Sequence, residues 1–370
     1  MAKSGPVLDG IQYLRGLCAV IVVISHCNGI IGLPEYYSKM ALPDWHVASL
    51  FAVAAFFSIS GFIIVVASLD RAALPRTSRG EFVRRRFVRI VPFLWLCIVG
   101  YNFLSWAGTY QFDWPAALRT FVVWPVGELK PNVAWSLRHE LLFYAIYALA
   151  ILGGRPRYGI LAAWFAASAV FYVVSYDVGL AAPLLGQDGF ETVKVLMGGD
   201  HGANFQFALG LLLAHLFLLH PERLPIGKVP PAMILVLCAG ACLAVSWWPM
   251  DYGLPVSLLW TALAAPVLAA AICARPGIGW PARLGRVLGD ASFAIYLVHN
   301  PVVLVILAIA QKLHFAIESE AMLLCFLAVC VTLAVLAGIV AHIIIEAPLI
   351  RWCERLTRPS AKAPARILVD

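Results

Sequence analysis

Arg15 and His26 both lie inside the first long apolar segment of the chain, 11–29. An arginine offers a forked, permanently charged donor for phosphate or carboxylate. A histidine is the side chain that takes up and releases a proton near neutrality. Positions 15 and 26 are about three helical turns apart, so at ~100° per residue they share one helix face, about 16 Å apart along the axis. Inside a bilayer such groups are costly and by default mark function. The alternative is an arginine snorkelling to the surface and a histidine satisfied by a neighbouring helix.

Other ionisable and hydroxyl residues in apolar surroundings extend the set. Glu140 follows Trp135-Ser136-Leu137-Arg138-His139 and precedes Phe143 and Tyr144. A carboxylate there needs a partner, and Arg138 and His139 are too close in sequence to face it on a helix. His26 at matching depth is the natural candidate, with neighbouring basic residues as the rival. Arg84, Arg85, Arg86 and Arg89 lead into Pro92 and suit phosphate binding, or else serve only as topology signals. Ser60 beside Gly61 offers a hydroxyl or a close helix contact. Tyr296 and His299 precede Pro301, where a histidine can also satisfy carbonyls freed by the proline. The nine cysteines form no CxxC pair or Cys/His cluster, so neither a disulfide framework nor a metal site is implied.

The elements that carry these residues are membrane helices. Hydrophobic residues make up 62% of the chain and charged ones 13%, with a mean hydropathy of +0.86, which excludes an ordinary soluble domain. Arg15 interrupts the first segment and no cleavage pattern follows it, so it reads as a span and not a signal peptide. Ten segments have suitable length: 11–29, 47–69, 90–107, 134–153, 158–176, 203–220, 231–248, 254–274, 292–310 and 321–346. Among the 27 Lys and Arg, only Lys39, Arg119, Lys130, Lys194 and Lys312 fall in one set of alternate connections, and Arg138 falls within a span. The rest lie on the other side, which the positive-inside rule assigns to the cytoplasm together with both termini. The expected class is an all-α polytopic helix bundle of about ten transmembrane helices. The basic balance is then topology and anionic-lipid contact, and no nucleic-acid partner is implied.

In order along the chain these elements resemble acyltransferase family 3, the integral membrane O-acyltransferases. Arg15 and His26 match its Arg-x10-His motif, Phe56 to Phe62 its Phe-Phe-x-x-Ser-Gly-Phe block, and Arg84 to Pro92 its arginine-rich loop ending in Arg-Ile-x-Pro. Trp135 to Tyr144 match Trp-Ser-Leu-x-x-Glu-x-x-Phe-Tyr, Ser292 to Pro301 match Ser-Phe-x-x-Tyr-Leu-x-His-x-Pro, and Glu346 to Pro348 match the terminal Glu-x-Pro. On this resemblance 1–350 is one acyltransferase domain and 351–370 a short basic cytoplasmic tail, with no room for the SGNH-type domain that some members append. The stretch 155–285 carries no motif and is where acceptor specificity is expected.

The resemblance implies transfer of an acyl group, most often acetyl, from acyl-CoA to a sugar hydroxyl of an exopolysaccharide, O-antigen or lipid-linked precursor, at the cell inner membrane. Acetyl-CoA is then a co-substrate, with no bound cofactor. His26 is expected to be the general base, oriented by Glu140, and Arg15 to position the donor or stabilise charge on the thioester oxygen. Arg84, Arg85, Arg86 and Arg89 are expected to bind the donor phosphates, and Ser60, Tyr296 and His299 to line its path. Acylation of His26 itself is the alternative chemistry. A proton-coupled transporter or flippase of a lipid-linked sugar is the alternative function, with an acyl-CoA sensor as a further one.

Overall fold

The computed structural model describes residues 8–109, 112–124, 126–150, 156–247 and 253–357. Lys3, Arg155, Trp248 and the tail beyond 357, with Arg358, Lys362 and Arg366, lie outside the described residues. The helices are α1 (Asp9–Ile31), α2 (His46–Ser68), α3 (Arg79–Thr109), α4 (Trp114–Phe121), α5 (Trp135–Ala150), α6 (Pro156–Tyr172) and α7 (Ala181–Leu196). There follow α8 (Ala203–Leu219), α9 (Ala232–Trp247), α10 (Leu254–Cys273), α11 (Gly279–Asp290), α12 (Ser292–Lys312), α13 (Glu320–Ala341) and α14 (Ala347–Thr357). No named strand occurs among the described residues.

Among the described residues, helix forms within each segment expected to cross the bilayer, yet only 7 helices are long and apolar enough to do so. These are α1, α2, α3, α6 with its following π turn, α10, α12, and α13 continued into α14. The other three expected segments form α5, α8 and α9, of 16, 17 and 16 residues. At 1.5 Å per residue these span roughly 24–26 Å, short of a hydrocarbon core of about 30 Å. Conversely α3, at 31 residues, is longer than the core, so its arginine-bearing first turns extend beyond the apolar layer.

The bundle is organised around α2, whose apolar residues occupy all faces and are buried on most of them. It packs on α1, α8, α9 and α10. Small residues set how closely: a Cβ at Gly61 would collide with the Phe207 carbonyl, and one at Gly210 with that of Ser58. α2 and α8 therefore cross at backbone contact, and Gly61 serves the packing role while Ser60 beside it turns towards α5. On its other side α1 lies against α12 and α13, with Ala19, Val23, Cys27, Ile295 and Val303 in a shared apolar cluster. At the Arg15 end, α11 is held to α1 by an Asp9–Arg286 pair at 2.9 Å.

A proline and a π turn lie close to motif residues. Pro301 stands inside α12, two residues after His299. At the end of α13 the chain opens into a π turn over His342–Glu346, just before Pro348, and continues as α14. Such wide turns in a helix recur at functional sites.

Candidate functional site

α1, α2, α3, α5, α12 and the α13–α14 junction enclose a cavity of about 660 Å³, within the range of small-molecule sites. Arginines come from three directions: Arg15 from α1, Arg86 and Arg89 from α3, and Arg351 from α14. Glu140 from α5, Asp290 beside the start of α12, and Glu346 from the π turn oppose them. The wall between carries Ser60, Tyr144, Ser136 and Tyr296, together with Phe56, Phe57 and Leu137.

Arg15 donates from Nη2 to Ser292 Oγ at 2.9 Å, which ties the start of α12 to α1. The Arg86 guanidinium lies over the rings of Phe82 and Tyr144, 5.6 and 5.4 Å from their centroids. Its Nε is buried without a hydrogen-bond partner among the described residues, a donor left over for a ligand. Glu140 accepts from Ser60 Oγ at 2.7 Å and from the Tyr144 hydroxyl at 2.5 Å. The Tyr296 hydroxyl donates to Val133 O at 3.0 Å and shares a hydrogen bond with Ser136 Oγ. Glu346 is buried and pairs with His342 at 2.8 Å.

His26 is not among the cavity-lining residues, and it does not meet Glu140. Its Nδ1 lies 2.8 Å from Nε2 of His299, the rings stacked with centroids 5.0 Å apart. The His299 ring stands 6.1 Å from that of Tyr296, which itself lines the cavity. The expected pairing of His26 with Glu140 is thus replaced by two pairings. α12 is the helix that α1 faces at His26, while α5 presents Glu140 to α2.

The arginine cluster also divides. Arg86 and Arg89 reach the cavity, whereas Arg84 and Arg85 are both turned onto Glu81, at 2.7 and 2.5 Å. Residues three and four apart on a helix are neighbours, and Glu81 precedes both arginines by that spacing. Arg84 adds a hydrogen bond to Thr357 Oγ1 on α14 at 2.9 Å. His139 and Arg138, the other groups near Glu140 in sequence, hydrogen-bond to Val195 O and Gly127 O. The His342–Glu346 pair and Arg351 were missed as site residues. A histidine four residues before a glutamate, in a helix leading to a proline, was the available signal.

Among the described residues no group of three or more His, Cys, Asp or Glu is placed to hold a metal ion. The arrangement is a cavity lined by four arginines, with the His26–His299 hydrogen bond outside its lining.

The family model described as an acyltransferase domain matches residues 8–342. Among characterised proteins, the exopolysaccharide production protein ExoZ of Rhizobium meliloti (strain 1021) is 28% identical over 316 residues. That alignment covers 81% of this chain and 89% of ExoZ. No solved structure matches.

Proposed function

The chain belongs to the acyltransferase-domain family, and from that premise we propose that it transfers an acyl group, acetyl in the first instance, from acyl-CoA to a polysaccharide hydroxyl. The acceptor is an exopolysaccharide or its lipid-linked precursor, a reading that the likeness to ExoZ supports. The observation that carries the proposal is the arginine-lined cavity with the His26–His299 pair next to its lining residue Tyr296.

The protein would reside in the inner (plasma) membrane with ten crossings and both ends in the cytoplasm. The short α5, α8 and α9 are then accommodated within the bundle or by local thinning of the bilayer. The cavity faces the cytoplasm, where acyl-CoA is made. Arg86, Arg89 and Arg351 bind its phosphates through charge-assisted hydrogen bonds. Arg15, about 16 Å below His26 by helix rise, is too far to touch an oxyanion formed at the imidazole, so its part is to hold the donor. Glu140, fixed by Ser60 and Tyr144, balances the arginines beside it. The pantetheine arm passes Tyr296 to bring the thioester to His26.

There His26 removes the proton of the acceptor hydroxyl, and the oxygen attacks the thioester carbonyl carbon. The new C–O bond forms, the tetrahedral adduct collapses, and the C–S bond breaks. The departing thiolate takes the proton from the imidazolium, leaving ester, free CoA and neutral His26. Aligning donor and acceptor makes the step effectively unimolecular, so no acyl-enzyme is needed.

The test is incubation of purified protein with radiolabelled acetyl-CoA and envelope glycan. Base-labile label on the sugar is expected, with none on protein when the acceptor is withheld. Label retained on His26 in a single turnover would replace direct transfer by a covalent route, and translocation of the glycan without ester would replace the enzyme by a transporter.

A further inference from the structure

We infer that His299 is a positioning residue that holds His26 in the single tautomer able to act as base, with the proton on Nδ1 and the lone pair on Nε2. The inference rests on the reading of His26 as the base.

The directions of two hydrogen bonds carry it. His299 Nδ1 lies 3.1 Å from the carbonyl oxygen of Ile295, one turn back in α12. A carbonyl only accepts, so Nδ1 of His299 bears a proton. His299 is fully buried, and in its neutral form the other nitrogen, Nε2, then has only a lone pair. The atom 2.8 Å from it is His26 Nδ1, which must therefore donate. A neutral imidazole carries one N–H, and the basic lone pair of His26 is consequently on Nε2. The reverse chain would set a bare Nδ1 against the Ile295 carbonyl and forfeit a buried hydrogen bond.

The backbone keeps this chain in place. Ile295 packs with Ala19, Val23 and Cys27 of α1. α13 backs it so closely that a Cβ at Gly338 would collide with the Ile295 backbone. The Ile295 carbonyl is thus anchored against α1 and α13, and His299 inherits its orientation. His299 does not use the carbonyl of Leu297, which is the one Pro301 leaves without an N–H partner.

When His26 Nε2 takes the acceptor proton, Nδ1–H still donates to His299, so the imidazolium forms with its hydrogen bond already made. This gives His26 an orienter without a carboxylate and leaves Glu140 to the donor cavity. The titratable groups that face His26 are His299 from α12 and His46 from the start of α2; the Asn300 side chain also hydrogen-bonds the ring, and its otherwise unpartnered Oδ1 is an acceptor for the second N–H of the imidazolium.

The experiment is ¹⁵N NMR of histidine-labelled protein in nanodiscs, with the His26 signals assigned by their loss in His26→Ala. Wild-type protein should show His26 with protonated Nδ1 and bare Nε2. His299→Ala should turn this into a mixture of tautomers and lower kcat roughly 10–100-fold, the cost that losing an orienting partner has for metal-bound imidazoles, with donor KM unchanged. His299→Gln, whose Oε1 can accept from His26 Nδ1, should restore most of kcat. If His299→Ala fails to fold, the wild-type spectrum and the Gln variant decide. A wild-type spectrum with Nε2–H and bare Nδ1, or full kcat in His299→Ala with the His26 tautomer intact, would overturn the inference. Full activity in His26→Ala would instead overturn the base reading, and the positioning role with it.

Discussion

Three consecutive arginines in α3 give a sharp test of the donor site, because the structure treats them differently. Arg86 projects into the cavity with an unpartnered buried Nε, while Arg84 and Arg85 are both engaged by Glu81. A hydrogen bond to a charged group contributes about 1.5–3 kcal/mol, and each 1.4 kcal/mol is tenfold in affinity. Arg86→Ala should therefore raise the KM for acyl-CoA roughly 10–150-fold, with a much smaller change in kcat, as for a contact made equally in ground and transition states. Arg85→Ala removes an exposed i,i+4 pair worth about 0–1 kcal/mol and should leave KM within about fivefold. Arg86→Lys separates charge from geometry: it keeps the cation but not the fork and should lie between wild type and Ala. Initial rates against acyl-CoA at saturating acceptor measure all three, and thermal unfolding controls for the loss of the contacts between Arg86 and its aromatic neighbours. Equal KM effects in Arg85→Ala and Arg86→Ala, or an unchanged KM in Arg86→Ala, would refute the division of the cluster.

Glu140→Gln should impair donor binding but leave the pH–rate limb due to His26 where it was, since Glu140 contacts Ser60 and Tyr144; a shifted limb would restore the His26–Glu140 pairing. Gly210→Val puts side-chain atoms into the Ser58 backbone and should cost at least the roughly 1–3 kcal/mol of an overpacked core, read as a lower Tm; an unchanged Tm would show that α2 and α8 can separate freely. Outside the spans, the Ala116 N–H and then Lys130 hold the Asp113 carboxyl below its usual range, and Asp113 holds Lys130 above its own. The depressed acid stabilises above about pH 4 and the raised base below about pH 10, so the protection of amides in 112–124, taken as the intrinsic exchange rate at each pH over the observed one, should be flat between those limits and fall beyond either. A fall in protection already between pH 5 and 7 would exclude that tie.

Which residues gather at the site was legible in the sequence, and which of them face one another was not. The motif residues Arg15, Ser60, Arg86, Arg89, Glu140 and Tyr296 do converge on one cavity. The azimuth of each neighbouring helix is set by contacts such as Gly61 on Phe207 and Gly338 on Ile295, which no spacing rule encodes. Hence His26 and Glu140 face different partners. His299, expected on the donor path, is not among the cavity-lining residues and meets His26 instead. The split of the arginine cluster was readable in principle, since Glu81 stands three and four residues before Arg84 and Arg85. The crossing count departs at α5, α8 and α9, which at 16, 17 and 16 residues are shorter than a plain span, and α5 also carries Arg138 and Glu140.

Donor entry through the arginine cavity and transfer at His26 are tested together by sidedness in sealed proteoliposomes of known protein orientation. Labelled acyl-CoA is supplied on only one face, with lipid-linked glycan present throughout. Ester should appear on the glycan only when acyl-CoA is on the face bearing α14 and the arginines, and it should vanish in His26→Ala although that variant still binds the donor. Ester formed from acyl-CoA on the opposite face, or undiminished ester in His26→Ala, would contradict the proposed route.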